Sequence, residues 1–161
     1  MVQGKPSPLG MCIKNGIIYG DYMTSYSVMA VKKDGTIYTP AQGLMGKNLL
    51  AAGVKDTYNF GPVLIKDGEA QLPWAETEKY YPRTAVGMVK PNDYVLLVTD
   101  TGRYNGLNHW DMVNIFKSYG CTYAYNLDGG GSATLYFNGK VMNKLIGNTQ
   151  RPCADFLYFT R

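Results

Sequence analysis

Two aspartates, two arginines and a run of glycines carry most of the chemistry this chain can offer. Asp128 is followed directly by Gly129, Gly130, Gly131 and Ser132. Glycine adopts positive φ without steric penalty, and successive glycine amides can form a concave nest that favours an anion. A carboxylate at the lip of such a nest would stand beside a bound phosphate. A flexible linker is written in the same letters. The flanks argue against one, because Tyr123, Tyr125 and Leu127 alternate with smaller or polar residues before the turn, and Leu135 and Phe137 follow it.

Three further polar residues could join that turn. Arg83, with Thr84 after it, opens an apolar strand, so its guanidinium would sit at a strand end, where its fork matches phosphate oxygens. Asp100, followed by Thr101, Gly102 and Arg103, closes another apolar strand; this is a common place for a functional carboxylate and equally for an Asp-containing turn. Arg151 precedes Pro152 and an apolar run that reads as a last strand over 154–159. His109, the single histidine, falls in the first turn of a helix and reads as a partly exposed helix residue. Asp100 and Asp128 together could hold a divalent cation. No histidine-rich or cysteine motif, phosphate loop or nucleophile elbow accompanies them, so no cofactor is assigned.

The elements that must position these groups are legible from turns and periodicity. Asn15-Gly16, Asp34-Gly35, Asp67-Gly68 and Asn138-Gly139 each sit beside apolar runs and supply the positive φ angles of tight type I′ turns. They predict strands over 11–14 and 17–19, 26–32 and 36–38, 62–65, and 133–137. Strands over 84–89 and 94–99 meet at Pro91-Asn92-Asp93, and another over 123–127 ends at Asp128. A helix is predicted over 108–119: Asn108 caps it, Asp111 follows three residues on, and Gly120 ends it. Inside it Trp110, Met112, Val113, Phe116 and Tyr119 recur at helical spacing. A weaker helix is predicted over 46–52. The expected class is α+β: mainly antiparallel sheet with hairpins, and one helix packed on the sheet.

Composition narrows the partners. The 161 residues suit a single domain spanning 1–161. An apolar fraction of 45% with 17% charged residues excludes a disordered polyelectrolyte. The net charge of +4 is spread out, with no basic run longer than Lys32-Lys33, which suits a small anion better than a nucleic acid. No apolar stretch approaches the ~20 residues of a membrane span, and Met1 to Pro8 lacks the apolar core of a signal peptide. Cys12, Cys121 and Cys153 are widely spaced and read as three buried thiols, with one disulfide plus a free thiol as the other arrangement.

Several strings together resemble one family. Asn126-Leu-Asp-Gly-Gly-Gly-Ser-Ala-Thr134, preceded by Pro82-Arg-Thr-Ala-Val-Gly87 and Gly106-Leu-Asn-His-Trp-Asp-Met112, is similar to the phosphodiester glycosidase family. Phe60-Gly-Pro-Val-Leu-Ile-Lys-Asp-Gly68 and Gln150-Arg-Pro152 fit the same pattern. The Asn-Gly-Gly-Phe-Phe type of segment found upstream in that family has no counterpart here, so Met1 reads as a start inside the usual domain. Family members also tend to carry Asp-Gly where this chain has Asp100-Thr101-Gly102.

The resemblance implies hydrolysis of the anomeric C–O bond in a sugar-1-phosphodiester, of the N-acetylglucosamine-1-phosphodiester kind, giving free sugar and a phosphomonoester. Arg83, the amides of Gly129, Gly130 and Gly131, and Ser132 are then candidates to stabilise charge on the phosphate. Asp128, with Asp100 second, is the candidate nucleophile or base at the sugar. Thr84, Asn126 and Arg151 stand as further candidate substrate contacts. The implied partner is a small or glycan sugar phosphodiester, and the implied location is extracellular or the cell envelope. A non-catalytic module that binds sugar phosphates or glycans, and a phosphodiesterase that cleaves P–O, are the competing readings.

Overall fold

The computed structural model describes residues 9–22, 24–72, 80–100 and 106–159. Strands β1 (Cys12–Lys14) and β2 (Ile17–Gly20) pair across Asn15 and Gly16, both of which take positive φ (50° and 77°). β3 (Ser27–Lys32) and β4 (Ile37–Tyr38) pair next. In their connection only Gly35 is left-handed. Asp34 instead accepts a hydrogen bond from the Thr36 amide at 2.9 Å, so this turn is held by a side chain rather than by two positive φ angles.

Helix α1 (Gly46–Ala51) leads into β5 (Val54–Phe60), which pairs along β3 to complete a three-stranded sheet in the order β4-β3-β5. The sequence pattern does not announce β5, because Lys55, Asp56 and Asn59 interrupt its apolar run. Thr57 ties it to β1 instead. Its buried hydroxyl accepts from the Ile13 amide and donates to the Met11 carbonyl, fixing the β1–β2 hairpin against the sheet.

β6 (Val63–Lys66), β7 (Glu69–Ala70), β8 (Thr84–Lys90), β9 (Asp93–Val98), helix α2 (His109–Ser118) and β10 (Tyr123–Leu127) build the second unit. The five strands form one antiparallel sheet in the order β7-β6-β10-β8-β9. A small hairpin of β11 (Tyr136–Phe137) and β12 (Lys140–Val141) follows. The expected last strand over 154–159 does not form. Among the described residues that segment joins no strand; it lines a groove of about 1040 Å³ together with residues of β1, β3, β4 and β5. All three thiols are free; Cys12 and Cys121 are buried as expected, whereas Cys153 is exposed. No helix among the described residues is long and apolar enough to cross a membrane.

Residue size decides which layer goes where. Along β8 and β10, Ala85, Gly87 and Ala124 face α2, while Val86, Met88, Tyr123 and Tyr125 face the three-stranded sheet. The small side lets the helix approach closely. A Cβ on Gly87 would lie 2.5 Å from the Phe116 ring and 2.7 Å from the Cys121 sulfur. Helix α2 starts with a reciprocal cap, in which Asn108 Oδ1 accepts from the Asp111 amide (2.8 Å) and Asp111 Oδ2 accepts from the Asn108 amide (3.2 Å). Its buried stripe is His109, Met112, Val113 and Phe116. Tyr119 is exposed, and His109 is only 6% exposed. The expectation of a partly exposed histidine is therefore corrected: position 109 lies three, four and seven residues before the other stripe members, on the face that packs.

Tyrosine hydroxyls join the two sheets on the large-residue side. Tyr125 Oη accepts from the Phe60 amide (2.9 Å) and donates to the Ser27 carbonyl, and Tyr123 Oη shares a hydrogen bond with Thr39 Oγ1 (2.7 Å). Burial raises the pKa of Tyr58, Tyr123 and Tyr125 above the usual phenol value; at Tyr58 the carboxylates Asp56 and Asp155 add to it. The unfolded chain releases these protons near pH 10, while the folded chain keeps them to higher pH. Stability should thus be full below about pH 10 and fall above it, by about 1.4 kcal/mol per pH unit for each phenol. Urea unfolding at pH 8 and pH 11 measures this, with Tyr123→Phe expected to remove part of the fall. An unchanged midpoint at pH 11 would contradict it.

Candidate active site

β8 runs antiparallel to both of its neighbours, so its first residues meet the last residues of β9 and β10. Thr84 lies opposite Val98 on one side and Leu127 on the other. Arg83 precedes Thr84, Asp128 follows Leu127, and Asp100 follows Val98 by two. The sheet topology alone therefore gathers Arg83, Asp100 and Asp128 at one sheet end. Backbone bonds lock it: the Thr99 amide donates to the Arg83 carbonyl (2.9 Å), and the Arg83 amide to Thr99 Oγ1 (3.0 Å).

The approach to α2 closes a further side. Tyr81 and Leu107 exchange two backbone hydrogen bonds (3.2 and 2.9 Å), which brings the helix entrance beside the start of β8. Arg83 Nε donates to the Leu107 carbonyl at 3.1 Å, and its guanidinium carbon lies 5.3 Å from the centre of the Tyr81 ring. Partial burial draws the Arg83 pKa below its usual value, with Tyr81 opposing the shift. The cation is thus held in place by its own strand, an aromatic face and a carbonyl.

The glycines have separate reasons to be glycine. At Gly129 a Cβ would lie 2.5 Å from the Pro82 carbonyl oxygen and 3.4 Å from the Arg83 Cα, so contact with β8 requires its absence. Gly130 takes φ of 57° and donates its amide to the Pro82 carbonyl at 2.8 Å. A single 3-10 turn over Gly130–Ser132 follows, with the amides of Ser132 and Ala133 bonded to the carbonyls of Gly129 and Gly130. The three-amide nest expected from the sequence is therefore reduced. Gly130 fastens the loop to Arg83's strand, and no hydrogen bond within the described residues takes up the amides of Gly129 and Gly131.

Asp128 is oriented by the loop it opens. Its Oδ2 accepts from Ser132 Oγ (2.7 Å) and from Arg151 Nη2 (2.6 Å), the latter a half-exposed ion pair. Arg151 is thereby brought to the site across 23 residues of chain. Asp100 Oδ2 accepts from the Lys144 amide at 3.1 Å. Asn143 holds the returning chain with two bonds, from the Leu135 amide (2.7 Å) and to the Ala133 carbonyl (2.9 Å). Tyr81, Asn143 and Lys144 are parts of this constellation that sequence reasoning missed, because each acts through a long-range or backbone contact.

Two expected contacts sit deeper. Asn126 is 1% exposed, its amide nitrogen donates to the Gly61 carbonyl at 2.6 Å, and its backbone bonds to Gly61 and Pro62 on either side of their cis peptide. It braces the floor behind the loop. The Thr84 hydroxyl is also buried, without a hydrogen bond among the described residues. Thr101, Gly102 and Arg103, which the sequence reading placed after Asp100, lie outside the described residues. Among the described residues no group of three or more His, Cys, Asp or Glu side chains stands together, so the Asp100–Asp128 pair has no third such ligand beside it.

Fold and site together define an antiparallel α+β domain with an arginine and two carboxylates at one sheet end. Over residues 1–160 the chain matches the family described as phosphodiester glycosidase, and it belongs to that family. It is 31% identical over 160 residues to the SPbeta prophage-derived uncharacterized protein YomE of Bacillus subtilis (strain 168), a match covering 92% of this chain and 25% of that protein. It is 28% identical over 156 residues to the N-acetylglucosamine-1-phosphodiester alpha-N-acetylglucosaminidase of Mus musculus, covering 81% of this chain and 29% of the mouse protein. The chain thus spans between a quarter and a third of the length of these curated relatives. Among solved structures it superposes on the zebrafish N-acetylglucosamine-1-phosphodiester alpha-N-acetylglucosaminidase catalytic domain, auto-inhibited by its pro-peptide. The TM-score is 0.69 at 22% identity, over 91% of this chain and 55% of that one, a likeness of fold.

The loop packing can be tested by substitution. Gly129→Ala must push the loop off the Pro82 carbonyl and should cost about 1–3 kcal/mol. Gly131→Ala, where the nearest atom to a new Cβ is Arg151 Cδ at 3.5 Å, should stay within about 0.5 kcal/mol. Denaturant unfolding gives both values, and hydrogen exchange at the Gly130 amide should accelerate only in Gly129→Ala. Equal behaviour of the two variants would deny the close approach.

Proposed function

We propose that this domain hydrolyses the anomeric C–O bond of a sugar-1-phosphodiester, of the N-acetylglucosamine-1-phosphodiester type. The observation that carries the reading is the Gly130–Pro82 hydrogen bond. It places the Asp128 loop directly against the strand start that bears Arg83, so one ligand can meet a carboxylate and a guanidinium together. Membership of the phosphodiester glycosidase family supports the same chemistry.

In the proposed reaction the C1–O bond breaks and its electron pair leaves with the phosphate, giving a phosphomonoester. Water supplies the new C1–O bond, and its proton passes to a carboxylate. A phosphate monoester is a good leaving group, so the main catalytic need is stabilisation of charge growing on its oxygens. Arg83 and the amides of Gly129 and Gly131 are assigned to that charge. Asp128 is assigned to the sugar side. Ser132 and Arg151 both hold Oδ2, and Oδ1 is assigned the part of base or nucleophile. Asp100 is the second carboxylate of the site.

Incubation with an N-acetylglucosamine-1-phosphodiester should release N-acetylglucosamine. In ¹⁸O-labelled water the label should enter the sugar; label in the phosphate would instead establish P–O cleavage. Asp128→Asn should lower turnover by about a hundred- to ten-thousand-fold with an unchanged circular dichroism spectrum, and turnover like the parent chain would remove Asp128 from the mechanism. Arg83→Ala should lower turnover of the phosphodiester by about a hundredfold or more and affect aryl glycosides far less. Equal losses on both substrates would make Arg83 structural.

A further inference from the structure

The hairpin β11–β12 is the least explained part of the fold. It rises from the chain directly after the Asp128 loop, with Tyr136 only four residues beyond Ser132, a reach of at most about 14 Å. Register places Tyr136 opposite Val141 and Phe137 opposite Lys140, so one face carries Tyr136 with Val141 and the other carries Phe137 with Lys140. Both faces are open: Tyr136 is 68% exposed, Phe137 64% and Met142 57%. A lone two-stranded hairpin is marginal in water. This one is held at its base, where Asn143 binds the Leu135 amide and the Ala133 carbonyl and the Lys144 amide binds Asp100. Those are the same bonds that frame the site.

Charge selects the occupant. From Tyr136 to Lys144 the hairpin carries Lys140 and Lys144 and no Asp or Glu, while Arg151 is already paired with Asp128. Exposed aromatic rings beside two lysines match a chain that alternates sugar rings with phosphates: ring faces stack on the aromatics, and phosphates meet the lysines.

We infer that the β11–β12 hairpin is a subsite for a polyanionic sugar–phosphate polymer, holding the repeats beyond the one whose bond is cut. The inference rests on the proposed hydrolysis for its orientation and adds the substrate class: a polymer rather than an isolated diester.

Binding is measured by calorimetry on the whole chain carrying Asp128→Asn, which prevents cleavage. The probe is a tetramer of N-acetylglucosamine-1-phosphate units joined by phosphodiesters, with neutral chitotetraose as control. The tetramer should bind, more weakly as salt rises, and chitotetraose should bind at least tenfold more weakly. Tyr136→Ala with Phe137→Ala should weaken the tetramer about tenfold, and Lys140→Gln with Lys144→Gln should flatten the salt dependence. With Asp128 restored, the aromatic pair of substitutions should raise KM for the polymer while kcat on a simple methyl diester of N-acetylglucosamine-1-phosphate changes less than twofold. Equal affinity for chitotetraose, unchanged tetramer affinity in both double variants, or a parent dimer that the aromatic substitutions convert to monomer would each overturn the subsite. Tetramer binding at the hairpin without any sugar release by the parent chain would instead overturn the hydrolysis and leave the subsite standing.

Discussion

One backbone hydrogen bond organises the sheet end that forms the candidate site: the Gly130 amide on the Pro82 carbonyl. It can form only because Gly129 presents no Cβ to the strand it lies against. Through that contact a loop following the end of β10 becomes continuous with the residue before β8, and the chain segments bearing Asp128 and Arg83 adjoin although 45 positions separate the two residues. A glycine run is usually thought of as freedom. Here two of the three glycines are the means of a tight fit.

The rest of the sheet exists to keep that end in register. β8 is paired on both sides from Thr84 to Met88, and a slip by one residue would exchange its faces. The faces cannot be exchanged. Ala85 and Gly87 leave room for Phe116 on one side, whereas Val86 and Met88 fill the gap to the three-stranded sheet on the other. Side-chain volume in the core thus determines which backbone groups of β8 reach the site. The hydroxyl of Tyr125 adds a second restraint, because its bonds to Phe60 and Ser27 tie β10 to the neighbouring sheet.

Much of this could be read from the residues. The hairpins at Asn15-Gly16, Asp67-Gly68 and Asn138-Gly139 and the cap at Asn108 are local chemistry, and local chemistry is visible in a linear string. Arg83, Asp100 and Asp128 could be singled out because strand ends are visible too, and antiparallel order then brings them to one edge. What stayed hidden has a common physical cause. β5 is a strand by pairing with β3 rather than by pattern; Thr57 is buried because it bonds to β1. The run at 154–159 looks like a strand by composition but joins neither sheet and lies along the groove instead. Arg151 acquires a partner only when the chain returns across 23 residues, and Asn126, in the midst of the most telling string, proves to brace Gly61. His109 was legible in retrospect, since its spacing to Met112, Val113 and Phe116 already placed it on the buried stripe.

The chain after the glycine turn also orders the two carboxylates differently. Asp128 is oriented by two side chains, Ser132 and Arg151, the latter in a half-exposed ion pair. Asp100 is oriented by a backbone amide, Lys144, whose position is fixed by Asn143 and the hairpin stem. Side chains thus hold one carboxylate of the proposed site and a main-chain amide binds the other, and these donors come from the segment that follows the glycine turn. That is why the returning segment matters to the site although it supplies no carboxylate of its own.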